Sequence, residues 1–206
     1  MLCREPLLPL AERCHHMGMP AMLPHRWTAE EVLAIPESPG YRFEAVDGAL
    51  IVSPSPSFRH QRAVTILASW LTSYAESSRC GVVLCAPFDI VPDKGTVTQP
   101  DVLVLPLVDD RVPDGWAESA RLLLAVEVLS PTSVRQDRYL KRRKYQEMGA
   151  VTWIVDLDAQ QVEVWLPGKA EPHVCAGALE WAPVAERTPL VLDLQRFFRK
   201  VDGKEL

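Results

Sequence analysis

Three charged residues stand where charge is expensive. Asp101 opens the apolar run Pro100-Asp-Val-Leu-Val-Leu-Pro106. Glu127 interrupts Leu122-Leu-Leu-Ala-Val-Glu-Val-Leu129, and Lys141 lies in the helical pattern that follows. Groups of this kind are buried only when they are paired or coordinate a metal. Two converging carboxylates could hold a divalent cation such as Mg2+, which takes carboxylate oxygen completed by water and substrate phosphate. A lysine beside them could hold a phosphate, orient an attacking water, or offset charge that builds up in the transition state. Together they would equip a site for metal-assisted phosphodiester cleavage.

Each residue also has a plainer reading. An aspartate ahead of a strand is commonly a turn residue. A lysine on a helix can snorkel to the edge, or pair with Asp137 one turn earlier. It is the combination, in this order, that points to a site.

The elements that must position the trio are legible from patterning. Thr28-Ala-Glu-Glu31 has the spacing of a capping box and predicts a short helix ending near Ile35. Asp47-Gly48 between Arg42–Val46 and Ala49–Val52 predicts a hairpin with a type I′ turn. His60, Val64, Leu67, Leu71 and Tyr74 recur at helical spacing and predict a helix over about Ser57 to Ser77. Strands are predicted at Gly81–Ala86, Phe88–Val91, Asp101–Leu105 and Leu122–Leu129, the last apolar enough to be covered on both faces. Val108 to Glu118 reads as a polar loop.

Ser130-Pro-Thr-Ser133 is the expected cap of a helix from about Val134 to Met148. At about 100° per residue, Val134, Lys141, Tyr145 and Met148 project in one direction, toward the sheet. Strands at Thr152–Asp156 and Gln161–Leu166, others near Val174 and Leu190, and a final helix near Leu194 to Phe198 complete the pattern. The mixture without strict alternation predicts a mixed α/β (α+β) sheet domain. If the strands carrying Asp101 and Glu127 are antiparallel neighbours, the two carboxylates meet at one sheet edge.

Composition narrows the classes. The chain has 206 residues, 48% hydrophobic and 24% charged, as a globular domain does. No apolar run reaches the roughly 18 residues of a membrane helix, and the first twenty residues lack the apolar stretch of a secretory signal. The net charge of −5 argues against a general DNA-coating role but not against a local basic site. The five cysteines contain no CxxC pair, which disfavours a disulfide framework or a zinc site and points to a reducing cytoplasm.

His60 lies on the apolar face of its helix; a buried, hydrogen-bonded histidine is the default and a general base the sharper alternative. Gln99 and Asp89 read as turn or strand-end residues, with support of the site as the alternative. The basic cluster Arg135, Arg138, Lys141, Arg142, Arg143 and Lys144 is either a solvated helix face or a phosphate contact. Trp153 and Trp165 read as core.

Several short segments, in order, carry a resemblance. These are Tyr41-Arg-Phe-Glu-Ala-Val-Asp-Gly48, Ser53-Pro-Ser-Pro, Arg59-His-Gln61, Ala86-Pro-Phe-Asp89, Gln99-Pro-Asp101, Val126-Glu-Val-Leu-Ser-Pro131, Asp137-x3-Lys141-x3-Tyr145 and Trp153-Ile-Val-Asp156. The stretch from Thr28 to Leu166 resembles a widespread bacterial family assigned as restriction endonucleases, long catalogued as a domain of unknown function. That family is similar to PD-(D/E)xK nucleases. The resemblance implies a restriction-endonuclease-like core, a mixed central sheet flanked by helices. It makes Asp101 the motif aspartate, Glu127 the motif acid and Glu44 a possible further metal ligand. Where the common pattern has lysine two residues after the acid this chain has Leu129, and the resemblance moves that role to Lys141. Ala49 is a departure, since the family commonly has glutamate there.

The expectation is therefore an N-terminal extension over residues 1–25 and one domain over 26–206. The domain is expected to be a cytoplasmic, homodimeric endonuclease using Mg2+ (or Mn2+) on nucleic acid, DNA above all. Asp101, Glu127 and Lys141 would be catalytic, Asp101, Glu127 and Glu44 would hold metal, and His60, Gln99 and Asp137 would support them. The competing expectation is a non-catalytic module that keeps the fold and binds nucleic acid or protein.

Overall fold

Thr28 caps the first helix, α1 (Ala29–Leu33), by the reciprocal bonds of a capping box: its hydroxyl accepts from the Glu31 amide and the Glu31 carboxylate accepts from the Thr28 amide. The computed structural model describes residues 25–130 and 136–205. The expected N-terminal extension up to residue 24, the Ser130-Pro-Thr-Ser133 cap from Pro131 onward, Val134 and Arg135 lie outside the described residues, as do the side chains of Asp137 and Arg138.

β1 (Tyr41–Val46) and β2 (Ala49–Pro54) form the hairpin foreseen from Asp47-Gly48. Both turn residues have positive φ, 48° and 81°, as a type I′ turn requires. α2 (Phe58–Ser78) starts at Ser57, whose hydroxyl accepts from the His60 amide, and it buries His60, Val64, Leu67 and Leu71. There follow β3 (Gly81–Cys85), β4 (Ile90–Asp93), β5 (Thr96–Thr98), β6 (Val102–Pro106), the single turn α3 (Trp116–Ser119) and β7 (Leu124–Val128). A π-helical segment, Gln136–Lys141, runs directly into α4 (Arg142–Glu147). β8 (Val151–Asp156), β9 (Gln161–Trp165), β10 (His173–Cys175), β11 (Ala178–Trp181), β12 (Leu190–Asp193) and α5 (Leu194–Val201) complete the described elements.

The strands build a central six-stranded sheet in the order β10-β9-β8-β7-β6-β3, a four-stranded sheet in the order β2-β1-β5-β4, and the β11-β12 hairpin. Within the central sheet only β7 and β8 are parallel neighbours. A parallel pair needs a crossover, and here the π-helical segment and α4 supply it. The result is the mixed α+β architecture expected from the pattern.

Alternate residues of the central strands feed two different cores. Val102, Val104, Leu124, Val126, Val128, Trp153 and Val155 pack with α2 and α5 through Leu67, Leu71 and Phe197. Leu103, Leu105 and Ala125 pack on the other face against Tyr145 of α4. β7 is buried along its whole length, as its unbroken apolar run requires. A third, smaller cluster joins α1 to the four-stranded sheet.

Four expectations change. Asp101 sits one residue before β6 rather than inside it. The helix predicted from about Val134 begins as a π-helix, so a uniform 100° step does not hold ahead of Lys141. β5 and β11, of three and four residues, are too short to show a strand period and were not foreseen. Trp153 is core, but Trp165 is only half-buried, with the Arg142 guanidinium 4.0 Å from its ring.

Candidate active site

The antiparallel ladder of β6 and β7 sets Val102 opposite Val126. One step further along that register stand Asp101 and Glu127, so the two acids meet at the sheet end as antiparallel pairing demands. Asp101 Oδ2 accepts the Val128 amide at 2.8 Å and lies 3.1 Å from His60 Nε2. Its Oδ1 is 3.5 Å from Arg42 Nη1. Burial pushes the Asp101 carboxyl up, but the His60 hydrogen bond and charge, the Val128 amide and Lys141 together hold it below the usual carboxylate range. The other ring nitrogen of His60, Nδ1, is buried without a hydrogen bond among the described residues.

Lys141 is 3% exposed and stands between two acids, 2.8 Å from Glu44 Oε2 and 3.5 Å from Glu127 Oε1. Glu44 comes from the middle of β1, where its other oxygen accepts the Gln99 amide at 2.8 Å. Glu127 Oε1 accepts the Tyr145 hydroxyl at 2.7 Å. Burial, then the charges of Glu127 and Glu44, push the Tyr145 phenol well above its ordinary value, so it remains a donor to Glu127. Lys141 and Tyr145 are four apart and both face inward, so the helical stripe read from sequence holds from Lys141 onward.

A cavity of about 730 Å³ opens over this end of the sheet, and Arg42, His60, Asp101, Glu127 and Lys141 are among the residues that line it. Glu44 is fully buried, does not line the cavity and acts as counter-ion to Lys141. Among the described residues no three His, Cys, Asp or Glu side chains form a ready-made metal cage. Magnesium does not need one: one or two carboxylates, waters and a substrate phosphate make up its usual sphere. Asp101 and Glu127, side by side on the cavity wall, are a donor pair of that kind.

The model of the family described as "Uma2: Putative restriction endonuclease" matches residues 29–195. The chain belongs to this family. A crystal structure described as a "putative nuclease belonging to DUF820", from Anabaena variabilis, superposes with a TM-score of 0.66 over 85% of this chain and 99% of that one. At 19% identity that likeness speaks for the fold. No curated protein matches the chain. No helix among the described residues is long and apolar enough to cross a membrane.

Within this Uma2-family fold the trio read from sequence converges, and His60 and Gln99 reach it through hydrogen bonds to Asp101 and Glu44. Gln99 also donates to Asp89 Oδ1 at 2.9 Å. The basic cluster does not reach the cavity through its described members other than Lys141. Arg142 stacks on Trp165, Arg143 pairs with Glu147, and Lys144 binds Asp47 and Asp93 at 2.5 and 2.7 Å.

Two residues of the site were not picked out as such from the sequence, Arg42 and Tyr145. The available signal for Arg42 was its spacing of two from Glu44, which puts both on one face of β1. For Tyr145 it was the i, i+4 spacing from Lys141. Arg59, on the cavity rim, ties α2 to the β8–β9 turn and the C-terminus, bonding Asp158, the Leu157 carbonyl and Asp202.

Proposed function

We propose that this chain is a metal-dependent endonuclease that hydrolyses phosphodiester bonds of nucleic acid, DNA above all. Membership of the family described as "Putative restriction endonuclease" supports the nuclease class. The single observation that carries the rest is the convergence of Asp101, Glu127 and Lys141 on one cavity wall.

In this reading Asp101 and Glu127 hold Mg2+ (or Mn2+). Such an ion supplies Lewis acidity and a water of lowered pKa. His60 and the Val128 amide fix the orientation of Asp101, and Tyr145 fixes that of Glu127. Glu44 assists by anchoring Lys141. Lys141 orients the attacking water or the phosphate and offsets the negative charge as phosphorus becomes five-coordinate. The water oxygen gives up a proton and forms a bond to phosphorus, the bond to the leaving sugar oxygen breaks, and that oxygen takes up a proton. β10, an edge strand with Val174 exposed, offers a surface on which two copies could pair for double-strand cutting.

The test is plasmid cleavage in Mg2+ or Mn2+ by wild type beside Asp101→Ala and Lys141→Ala. Cutting by wild type alone is the expected outcome; equal cutting by all three would mark a contaminant and end the assignment. One observation favours a second reading, a non-catalytic nucleic-acid- or protein-binding module. Lys141 already has two carboxylate partners, which is also how a purely structural buried charge is satisfied. Binding of DNA by all three proteins with cleavage by none would select that reading.

A further inference from the structure

Arg42 lines the cavity with part of its donor fork unused by the described residues. Its Nη1 donates to the Gln99 carbonyl at 3.2 Å and lies 3.5 Å from Asp101 Oδ1. No hydrogen bond from Nη2 or Nε is found among the described residues. A guanidinium whose task was to hold Asp101 would sit bidentate at about 2.7–2.9 Å. Here the contact is longer and involves one nitrogen, and Asp101 is already oriented by His60 and the Val128 amide. The Arg42 side chain is also more open than its neighbours in the charged cluster, 23% exposed against 6% for Asp101 and 4% for Lys141.

The guanidinium stays protonated. Arginine matches phosphate geometry bidentately and carries only a weak hydration shell, so a partly exposed, one-edge-anchored arginine in an otherwise acidic pocket is suited to an anion that enters from solvent.

We infer that Arg42 is a phosphate-binding residue. It holds a non-bridging oxygen of the substrate's phosphodiester from the Asp101 side of the cavity, while Lys141 stands on the Glu127 side. This rests on the nuclease reading above and adds the residue that seats the backbone. The anchored Nη1 fixes the plane of the fork, and Nη2 and Nε meet the phosphate. Because β1 carries both Arg42 and Glu44, the same strand that holds Lys141 in place also sets the position of the phosphate.

The experiment is equilibrium binding of a short fluorescein-labelled DNA duplex, with Ca2+ in place of Mg2+, across a salt series. It compares wild type, Arg42→Gln and Arg42→Lys, with far-UV circular dichroism to confirm that each is folded. Arg42→Gln is expected to bind roughly tenfold more weakly, the loss of one charge-assisted contact. Its plot of log affinity against log salt should flatten by about one. Arg42→Lys should keep the slope and lose part of the affinity, because a point charge replaces the fork. A purely structural role would not change the salt slope. Wild-type affinity and slope in a folded Arg42→Gln overturn this inference and leave the nuclease reading standing. A wild type that neither binds nor cuts the duplex overturns both.

Discussion

β7 presents both faces of the central sheet in five residues. Leu124, Val126 and Val128 turn toward α2 and α5 and join an apolar cluster with Leu67, Leu71, Trp153 and Phe197. Ala125 and Glu127 turn toward α4, and over the one step from Ala125 to Glu127 apolar contact gives way to a buried ionic cluster. Packing on the first face adds stability in proportion to the area removed from water. On the second, three carboxylates and two cations satisfy one another at a desolvation cost that largely cancels their attraction. Hydrophobic replacement of such a cluster often stabilises a fold as well or better, so in the nuclease reading proposed above the charged face is the working surface and the apolar face its scaffold.

The contrast can be broken most directly from the scaffold side. Phe197→Ala removes a fully buried ring and should cost about 4 kcal/mol of unfolding free energy. DNA cleavage per folded molecule should stay at the wild-type level. Urea denaturation beside a cleavage assay at low temperature measures both. If activity fell further than the folded fraction does, the two faces would not be separable.

The working surface should show the reverse. The double variant Glu44→Gln, Lys141→Met removes a buried ion pair from both ends and leaves the Glu127 carboxylate to the Tyr145 hydroxyl. Stability should fall by less than in Phe197→Ala, by about 1–3 kcal/mol, the cost of one buried group short of a partner. Cleavage should drop by roughly 100- to 1000-fold, the usual loss when one transition-state donor is deleted. Retained cleavage in this double variant would remove Lys141 from the mechanism.

Tyr145 lies on the boundary, with its ring in the apolar cluster and its hydroxyl on Glu127. Tyr145→Phe should cost about 2 kcal/mol, as loss of a hydrogen bond to a charged group does. It should also weaken metal binding measured by calorimetry, because Glu127 loses its orienting donor. A variant that changes stability but not metal affinity would make Tyr145 core alone.

The smallest effect is expected at Lys144, which clamps the hairpin turn to α4 through Asp47 and Asp93. Burial pushes the Asp93 carboxyl up, but Lys144 and the Gly95 amide hold it below the usual range. A depressed folded pKa contributes stability that is present above the unfolded value near 4 and lost as pH falls through the folded value. The Lys144 ammonium is raised by the same partners, although burial opposes this. Its contribution is present below the unfolded value near 10.4 and lost as pH rises through the folded one. Lys144→Met should therefore cost under about 1 kcal/mol at neutral pH. The difference from wild type should shrink in both acid and alkali, read from urea midpoints. A difference constant with pH would mean lost packing rather than lost charge.

How much of this was legible in the sequence differs between the same two faces. The scaffold announces itself through period: α2 through His60 to Leu71, β7 through its apolar run, and the turns through Asp47-Gly48 and the Thr28 capping box. The meeting of Asp101 with Glu127 was also readable, because antiparallel neighbours bring a strand start beside a strand end. The pairing of Glu44 with Lys141 was not derivable from spacing. It depends on how the four-stranded sheet docks against α4, and Thr96–Thr98, which completes that sheet, is too short to carry a pattern. Arg42 was missed because an arginine in a half-exposed strand looks like any solvated residue until its partners are seen. The π-helical winding ahead of Lys141 leaves no mark that an α-helical count can detect.

That winding has a consequence for how the site tolerates change along the chain. A lysine two places after the acid, on the same strand, would be bound to it by strand alternation: any slip of register would turn acid and lysine over together. Lys141 instead arrives at the end of Gln136–Lys141, a turn holding more chain per revolution than an α-helix. Loss of one residue there can be absorbed by rewinding to the α form, with β7 on one side and α4 on the other left in place. The spacing between the acid and the lysine is thereby uncoupled from the register of the sheet.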